Sequence, residues 1–197
     1  VVEACTSTSG EALKKILELL GDPSGDPDKY IDSYEPSGII FLPFLAGSRS
    51  PDWNPSLRGL IYGLSLRTRR EDLVKGVLEG VAFWERNIVE ALNNMGLSID
   101  EIRTVGGGAT RNWARVKANI TGKRIVIPAE REASALGAVF LAGLGYGIYK
   151  SARDILNIIR VDYVAEPERE LGSIYDRLYA VYVALWNSVK SISRMLT

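Results

Sequence analysis

Histidine is absent from this 197-residue chain, and cysteine occurs once, at Cys5. The first absence removes every imidazole base, acid or metal ligand that the chain could supply from its own residues. The second excludes an intrachain disulfide and points to a reducing, cytoplasmic setting. Charge of one sign is missing too, since 24 Lys+Arg balance 24 Asp+Glu. The basic excess expected of a nucleic-acid or membrane-surface protein is therefore not there, and neither partner is expected. The most apolar stretch, 135–149, is broken by four glycines and is shorter than the ~20 residues of a membrane span. No secretory signal is visible and the first residue is not Met. A start at Val1-Val2-Glu3-Ala4-Cys5, already strand-like, reads as a piece cut from a longer parent.

What remains is ordinary for a soluble globular domain: 46% hydrophobic and 24% charged residues, enough for one good-sized core. The pattern predicts a strand over 1–6, a helix over 11–20, a break at 21–25, and a short helix capped by Asp26 with Pro27 at its first position. Extended segments follow at 38–42 and 59–64, separated by a proline-marked loop. Thr68 and Glu71 read as a capping box for a helix running to Met95. A strand at 102–105 then leads through glycines to a helix at 112–121, stopped by Gly122. A strand at 124–127, a small-residue helix at 132–144 suited to close packing on a sheet, and a helix at 151–159 come next. Extended residues 161–165 and a long amphipathic helix over 168–195 end the chain. Its stripe of Tyr175, Leu178, Tyr182 and Leu185 leaves two readings open, packing back on its own domain or a homodimer face. The whole is α/β with more helix than strand.

Three successive glycines, Gly106-Gly107-Gly108, stand where a strand meets a helix, a costly place for the least ordered residue. They do not form a dinucleotide fingerprint, whose last glycine would fall at Arg111. Nor is there a Walker A loop, since Gly122-Lys123 is followed by Arg124. Two readings survive. Bare backbone N–H groups could approach a phosphate or nucleoside with Asn112 as donor and acceptor. Alternatively the glycines make a tight turn and Asn112 is a plain N-cap. A second small-residue turn, Ser7-Thr8-Ser9-Gly10, also precedes a helix and could face the same anion.

The segments Phe41–Trp53, Gly59–Leu64 with Asp72–Gly80, Gly106-Gly107-Gly108-Ala109 with Asn112, and Glu132–Ala138 resemble, in order and spacing, the motifs of the FGGY family of carbohydrate kinases. The match is to that family's C-terminal domain. It implies an actin-like ATPase (ribonuclease-H-like) fold, a mixed sheet flanked by helices, here lacking its first strands. Residues 1–150 would be the nucleotide-binding domain, and 151–197 a helical extension packed on it.

By this resemblance Gly108 and Asn112 would hold the adenosine end of ATP, Gly106 and Gly107 would form the same wall, and Gly10 would approach the phosphates. Lys14, one turn later, either adds positive charge there or is simply solvated. Gly76 stands where the family has Ala or Ser, a departure that could relieve packing. The family's catalytic aspartate and Gly-Thr phosphate loop lie on strands upstream of 1–6, so no catalytic residue is expected in this chain.

The implied reaction transfers the γ-phosphoryl group of ATP, with Mg²⁺, to a sugar or polyol hydroxyl held by a missing N-terminal domain. The piece alone would be inactive. A non-catalytic actin-like nucleotide- or partner-binding module is the alternative, and a remnant that binds nothing is a third. Structural expectations attach to the remaining polar and aromatic residues. Arg49 pairs with Asp52 ahead of facing the cleft, and Glu79 and Glu132 are satisfied by backbone N–H groups or a helix dipole. Trp53, Trp84, Trp113 and Trp186 pack, with Trp113, next to Asn112, the one that could instead stack on a ligand.

Overall fold

A computed structural model describes residues 2–22, 26–31, 33–130, 132–156 and 158–195. The order is α1 (Gly10–Leu19), a 3₁₀ turn (Pro27–Tyr30), β1 (Ile40–Leu42), β2 (Leu60–Tyr62), α2 (Arg70–Asn94), β3 (Glu101–Arg103), a second 3₁₀ turn (Gly106–Gly108), α3 (Arg111–Thr121), β4 (Arg124–Pro128), α4 (Ala133–Tyr146), α5 (Ala152–Leu156), β5 (Val161–Ala165) and α6 (Arg169–Ser193). β3 and β4 run parallel with Ile102 opposite Ile125, and β4 and β5 antiparallel with Val126 opposite Val164. β1 and β2 form a separate antiparallel pair. The three-stranded sheet is thus mixed.

The main core lies between helices rather than on the sheet. α2 lays Val77, Leu78, Val81 and Trp84 against Phe41 and Phe44, with Leu13 and Leu17 of α1, Trp113 of α3, and Tyr175, Tyr182 and Trp186 of α6 completing the cluster. Gly76 and Gly80 let α2 come this close to β1. A Cβ at Gly76 would stand 2.7 Å from the side chain of Ile39, and one at Gly80 would run into the carbonyl oxygen of Phe41. A smaller cluster of Ala109, Ala114, Ala118, Ile125, Ile127 and Ala165 glues α3 to the sheet. Gly122 ends α3 in the left-handed conformation, at φ 65°, which glycine adopts without steric cost.

Several expectations are corrected. Residues 2–6 form no strand; a strand needs a neighbour, and here Cys5 instead exchanges hydrogen bonds with Ser50, its N–H to Ser50 Oγ and its carbonyl from Ser50 N–H. The break at 21–25 falls partly on residues 23–25, which lie outside the described residues, as does Val1. α2 is capped by Arg69 and Asp72, whose carboxylate accepts the Arg69 N–H at 2.8 Å, rather than by Thr68 and Glu71. The α6 stripe takes the first of its two readings: Tyr175 and Tyr182 are fully buried and Leu178 and Leu185 pack partly buried against the same core. Arg49 does not pair with Asp52: its guanidinium lies over Trp53 at 5.6 Å, and Asp52 bonds Lys190 at 2.6 Å. Trp53 itself is exposed.

The small-residue helix α4 carries no charged side chain, yet buries only Phe140 and Gly143. The close packing on a sheet expected of it is not made among the described residues, because the sheet ends at β3, whose one strand partner is β4.

Candidate functional site

The first turn of α1 and the 106–108 turn face each other across a cavity of about 680 Å³. It is lined by Ser9, Gly10, Glu11 and Lys14 at the start of α1, by Thr104, Val105, Gly107 and Gly108 around the glycine turn, by the apolar side chains of Leu13, Leu17, Pro27 and Trp113, and by Glu85 and Lys117. Ser9 precedes α1 without a side-chain cap, and the 106–108 turn has none either. The α1 N-terminus therefore keeps unclaimed N–H groups and its share of the helix dipole. At α3 the situation differs, because Thr110 Oγ1 accepts the Trp113 N–H at 3.4 Å. The cap is Thr110, not Asn112.

Of the residues singled out in the sequence, Gly10, Gly107 and Gly108 come together on this cavity. A Cβ on Gly10 or Gly107 would meet nothing within 4 Å, whereas one on Gly108 would stand 2.9 Å from the Trp113 ring. Gly10 and Gly107 are thus bare toward open space, and Gly108 is bare because Trp113 packs behind it. Gly106, at φ 77°, shapes the turn and does not line the cavity. Asn112 does not line it either; its Oδ1 accepts the hydroxyl proton of Tyr34 at 2.7 Å. Trp113 is a buried packing residue whose indole N–H donates to Leu78 O at 3.1 Å.

Side-chain charge in the cleft nearly cancels. Lys14 is mostly exposed beside Glu11 at 3.8 Å, a pair worth little in water. Lys117 Nζ, almost buried, bonds Glu85 Oε1 at 2.7 Å and lies 4.6 Å over the Trp113 ring. Attraction for an anion rests on backbone N–H groups more than on lysines. Glu85, Lys117 and Tyr34 are the residues that sequence reasoning missed. Lys117 one turn after Trp113 on the same helical face was the available signal.

Behind the cleft sits a buried carboxylate. Glu79 accepts from Ser37 N–H (3.1 Å), Ser37 Oγ (2.6 Å) and Tyr175 Oη (3.1 Å), so a backbone N–H does satisfy it as expected. Burial outweighs these donors and pushes its carboxyl up to about 7. A second cavity of about 780 Å³, lined by Phe140, Leu136, Tyr149 and Ile158 beside Arg103 and Arg160, is largely apolar and collects none of the predicted residues.

The profile of the FGGY family of carbohydrate kinases, C-terminal domain, matches residues 9–146. A xylulose kinase of Staphylococcus epidermidis is 30% identical over 159 residues, which make up 80% of this chain and 32% of that protein. Among solved structures, a xylulose kinase from Rhodospirillum rubrum matches with TM-score 0.78 and 25% identity over 97% of this chain and 40% of that one. The glycerol kinase of Plasmodium falciparum, solved with ADP, matches with TM-score 0.75 and 27% identity over 98% and 38%. The fold is that of the actin-like ATPases. The chain spans about a third of the length of the curated relatives it matches.

Proposed function

Because the chain belongs to the FGGY family of carbohydrate kinases, we propose that its cleft seats an adenine nucleotide, ATP or ADP, for phosphoryl transfer to a sugar or polyol hydroxyl. One observation carries this reading. Gly10 and Gly107, nearly a hundred positions apart in sequence, bring bare backbone to one cavity that Leu13, Leu17, Pro27 and Trp113 also line. A volume of this order suits a nucleotide. The phosphates would lie against Ser9, Gly10 and Gly107, at the N-terminus of α1 and the glycine turn. The base would lie against Leu13, Leu17 and Pro27, with Gly108 and Asn112 at the adenosine end and Gly106 holding the turn.

Phosphoryl transfer asks for positioning and charge stabilisation more than for covalent chemistry from the protein. These residues supply positioning: they orient the donor and exclude water from one side of it. Mg²⁺ neutralises phosphate charge in such reactions. Among the described residues no group of three or more His, Cys, Asp or Glu could hold a metal. Mg²⁺ is commonly held by substrate phosphates with at most one or two carboxylates of the protein, so it would arrive on the nucleotide.

The acceptor hydroxyl and its catalytic aspartate belong to parts of a kinase that these residues do not include, so the chain alone is expected to bind nucleotide without turning over. Residues 1–150 would form the nucleotide domain and 151–197 its extension. A cytoplasmic setting fits the single cysteine, and among the described residues no helix is long and apolar enough to cross a membrane.

Calorimetric titration with ADP, followed in parallel by tryptophan fluorescence, tests the reading. Saturable one-to-one binding that protects Trp113 is expected. Absence of binding at millimolar ADP would overturn it.

A further inference from the structure

The second cavity, of about 780 Å³, is lined by α4, by the ends of β3 and β4, and by residues 158–160. These segments are tied in place. Tyr149 folds back on α4: the N–H groups of Ile148 and Tyr149 donate to Gly143 O at 2.8 and 3.3 Å, and the Tyr149 ring meets Phe140 edge-on with centroids 5.8 Å apart. A Cβ on Gly143 would stand 2.6 Å from that ring, so the packing of Tyr149 requires glycine there. Arg160 is held through its carbonyl, which accepts the Ala129 N–H at 2.9 Å just beyond β4.

Gly137, on the same helix, is the reverse case. It lines the cavity, its backbone is helical, and a Cβ on it would meet nothing within 4 Å. Neither backbone conformation nor packing asks for glycine at this position, and a helix interior disfavours it against alanine. The side chain it lacks leaves its volume to the cavity.

Three charged residues share the lining with Leu136, Phe140 and Ile158. Two are spent: Arg103 Nε bonds Glu101 Oε1 at 2.8 Å, and Glu130 Oε1 accepts the Glu132 N–H at 3.0 Å. The Arg160 side chain has no partner among the described residues, so one positive charge is left over at an apolar cavity. A mostly apolar concavity of this volume with a few polar groups is the usual form of a small-molecule site. A guanidinium pairs with planar or tetrahedral oxyanions through parallel N–H groups. One cation balances one negative charge. A phosphomonoester, carrying nearly two at neutral pH, would keep an uncompensated charge against apolar walls.

We propose that this cavity is a binding site for a small amphipathic monoanion, an organic carboxylate or sulfonate. Its apolar body lies against Leu136, Gly137 and Phe140, and its head pairs with Arg160. The site is independent of the nucleotide reading of the first cleft and stands or falls without it.

The test uses anilinonaphthalene sulfonate, an aromatic body with one sulfonate, and phenylnaphthylamine, the same body without it. Fluorescence titration of the chain should show one saturable site for the sulfonate. Arg160→Gln, a change at an exposed side chain, should weaken the sulfonate about tenfold, as expected for a charge-assisted hydrogen bond, and leave the uncharged compound unchanged. Gly137→Phe fills the open space and should abolish binding of both compounds, while its thermal melt stays at or above that of the unaltered chain. Non-saturable uptake, or sulfonate binding that a folded Gly137→Phe variant retains, would overturn the site. An equal effect of Arg160→Gln on both compounds, or none on either, would overturn the anion class. Sedimentation of the chain as a dimer that the sulfonate dissociates would make the cavity an interface between copies, and the proposal would fall.

Discussion

Tyr175 on α6 and Glu79 on α2 meet at 3.1 Å across 96 residues of sequence, hydroxyl to carboxylate, with both side chains fully enclosed. The bond joins the extension to the helix that forms the floor of the core. The same hydroxyl lies 3.2 Å from the carbonyl of Tyr34, so one phenol touches both α2 and residues 33–39. A buried charge of this kind is costly unless it is paired or protonated. Lys75, the nearest cation to moderate it, spends its ammonium on Ser33.

The pH dependence of stability follows from that cost. Glu79 titrates at about 7 when folded against 4.5 as its ordinary value. Between these pH values the folded chain holds a proton that the unfolded chain has released. Its contribution to stability is therefore full below about pH 4.5 and is lost as pH rises through about 7. The size is about 3 kcal/mol. The difference in urea-unfolding stability between the chain and its Glu79→Gln variant should change by about that amount from pH 4.5 to 7.5. A flat difference would mean that Glu79 is hydrated.

Replacing Tyr175 by Phe keeps the ring and deletes the hydroxyl. Glu79 retains its bonds from Ser37, but Tyr34 O loses a buried partner. A loss of about 1–2 kcal/mol is expected, with the Glu79 titration moving upward because one donor to its charged form is gone. Urea midpoints at pH 7.5, together with the pH profile above, check both.

Gly80→Ala and Gly76→Ala test the seam between α2 and β1. Alanine is the better helix former by about 1 kcal/mol, so a solvent-facing glycine would gain from the change. At Gly80 the added methyl meets the backbone of Phe41, which cannot give way, while at Gly76 it meets the Ile39 side chain. Both variants should lose stability, Gly80→Ala by about 3 kcal/mol and Gly76→Ala by less. The order should show in thermal melts; equal or raised midpoints would contradict the close approach.

Long helices were legible because their apolar spacing repeats over many turns: α2 and α6 start and stop within a few residues of the pattern. Helix caps were legible only to within a residue or two. Thr68, Arg69 and Thr110, Asn112 are near-equivalents in sequence, and local geometry decides between them. The strand expected at 1–6 failed for another reason, since alternation marks residues able to pair but says nothing of whether a neighbouring strand is there. In the cleft the glycines stood out because bare backbone is a property of the residue itself. Tyr34 with Asn112 and Glu85 with Lys117 stayed hidden, being pairings 78 and 32 positions apart that only the fold brings together.

The two bare glycines of the cleft separate a binding site from a mere turn. Neither Gly10 nor Gly107 has a left-handed backbone, and a Cβ on either meets no protein atom within 4 Å. Folding therefore makes no demand for glycine at these positions, and Gly10→Ala, at the first position of α1, should raise stability slightly by helix propensity. Any cost must come from a ligand pressed against the backbone. Gly10→Ala and Gly107→Ala should each melt at or above the temperature of the unaltered chain, while ADP affinity falls about tenfold, as expected when one or two N–H contacts to phosphate are held off by a methyl group. Unchanged affinity in both variants would show that no nucleotide is pressed against this backbone.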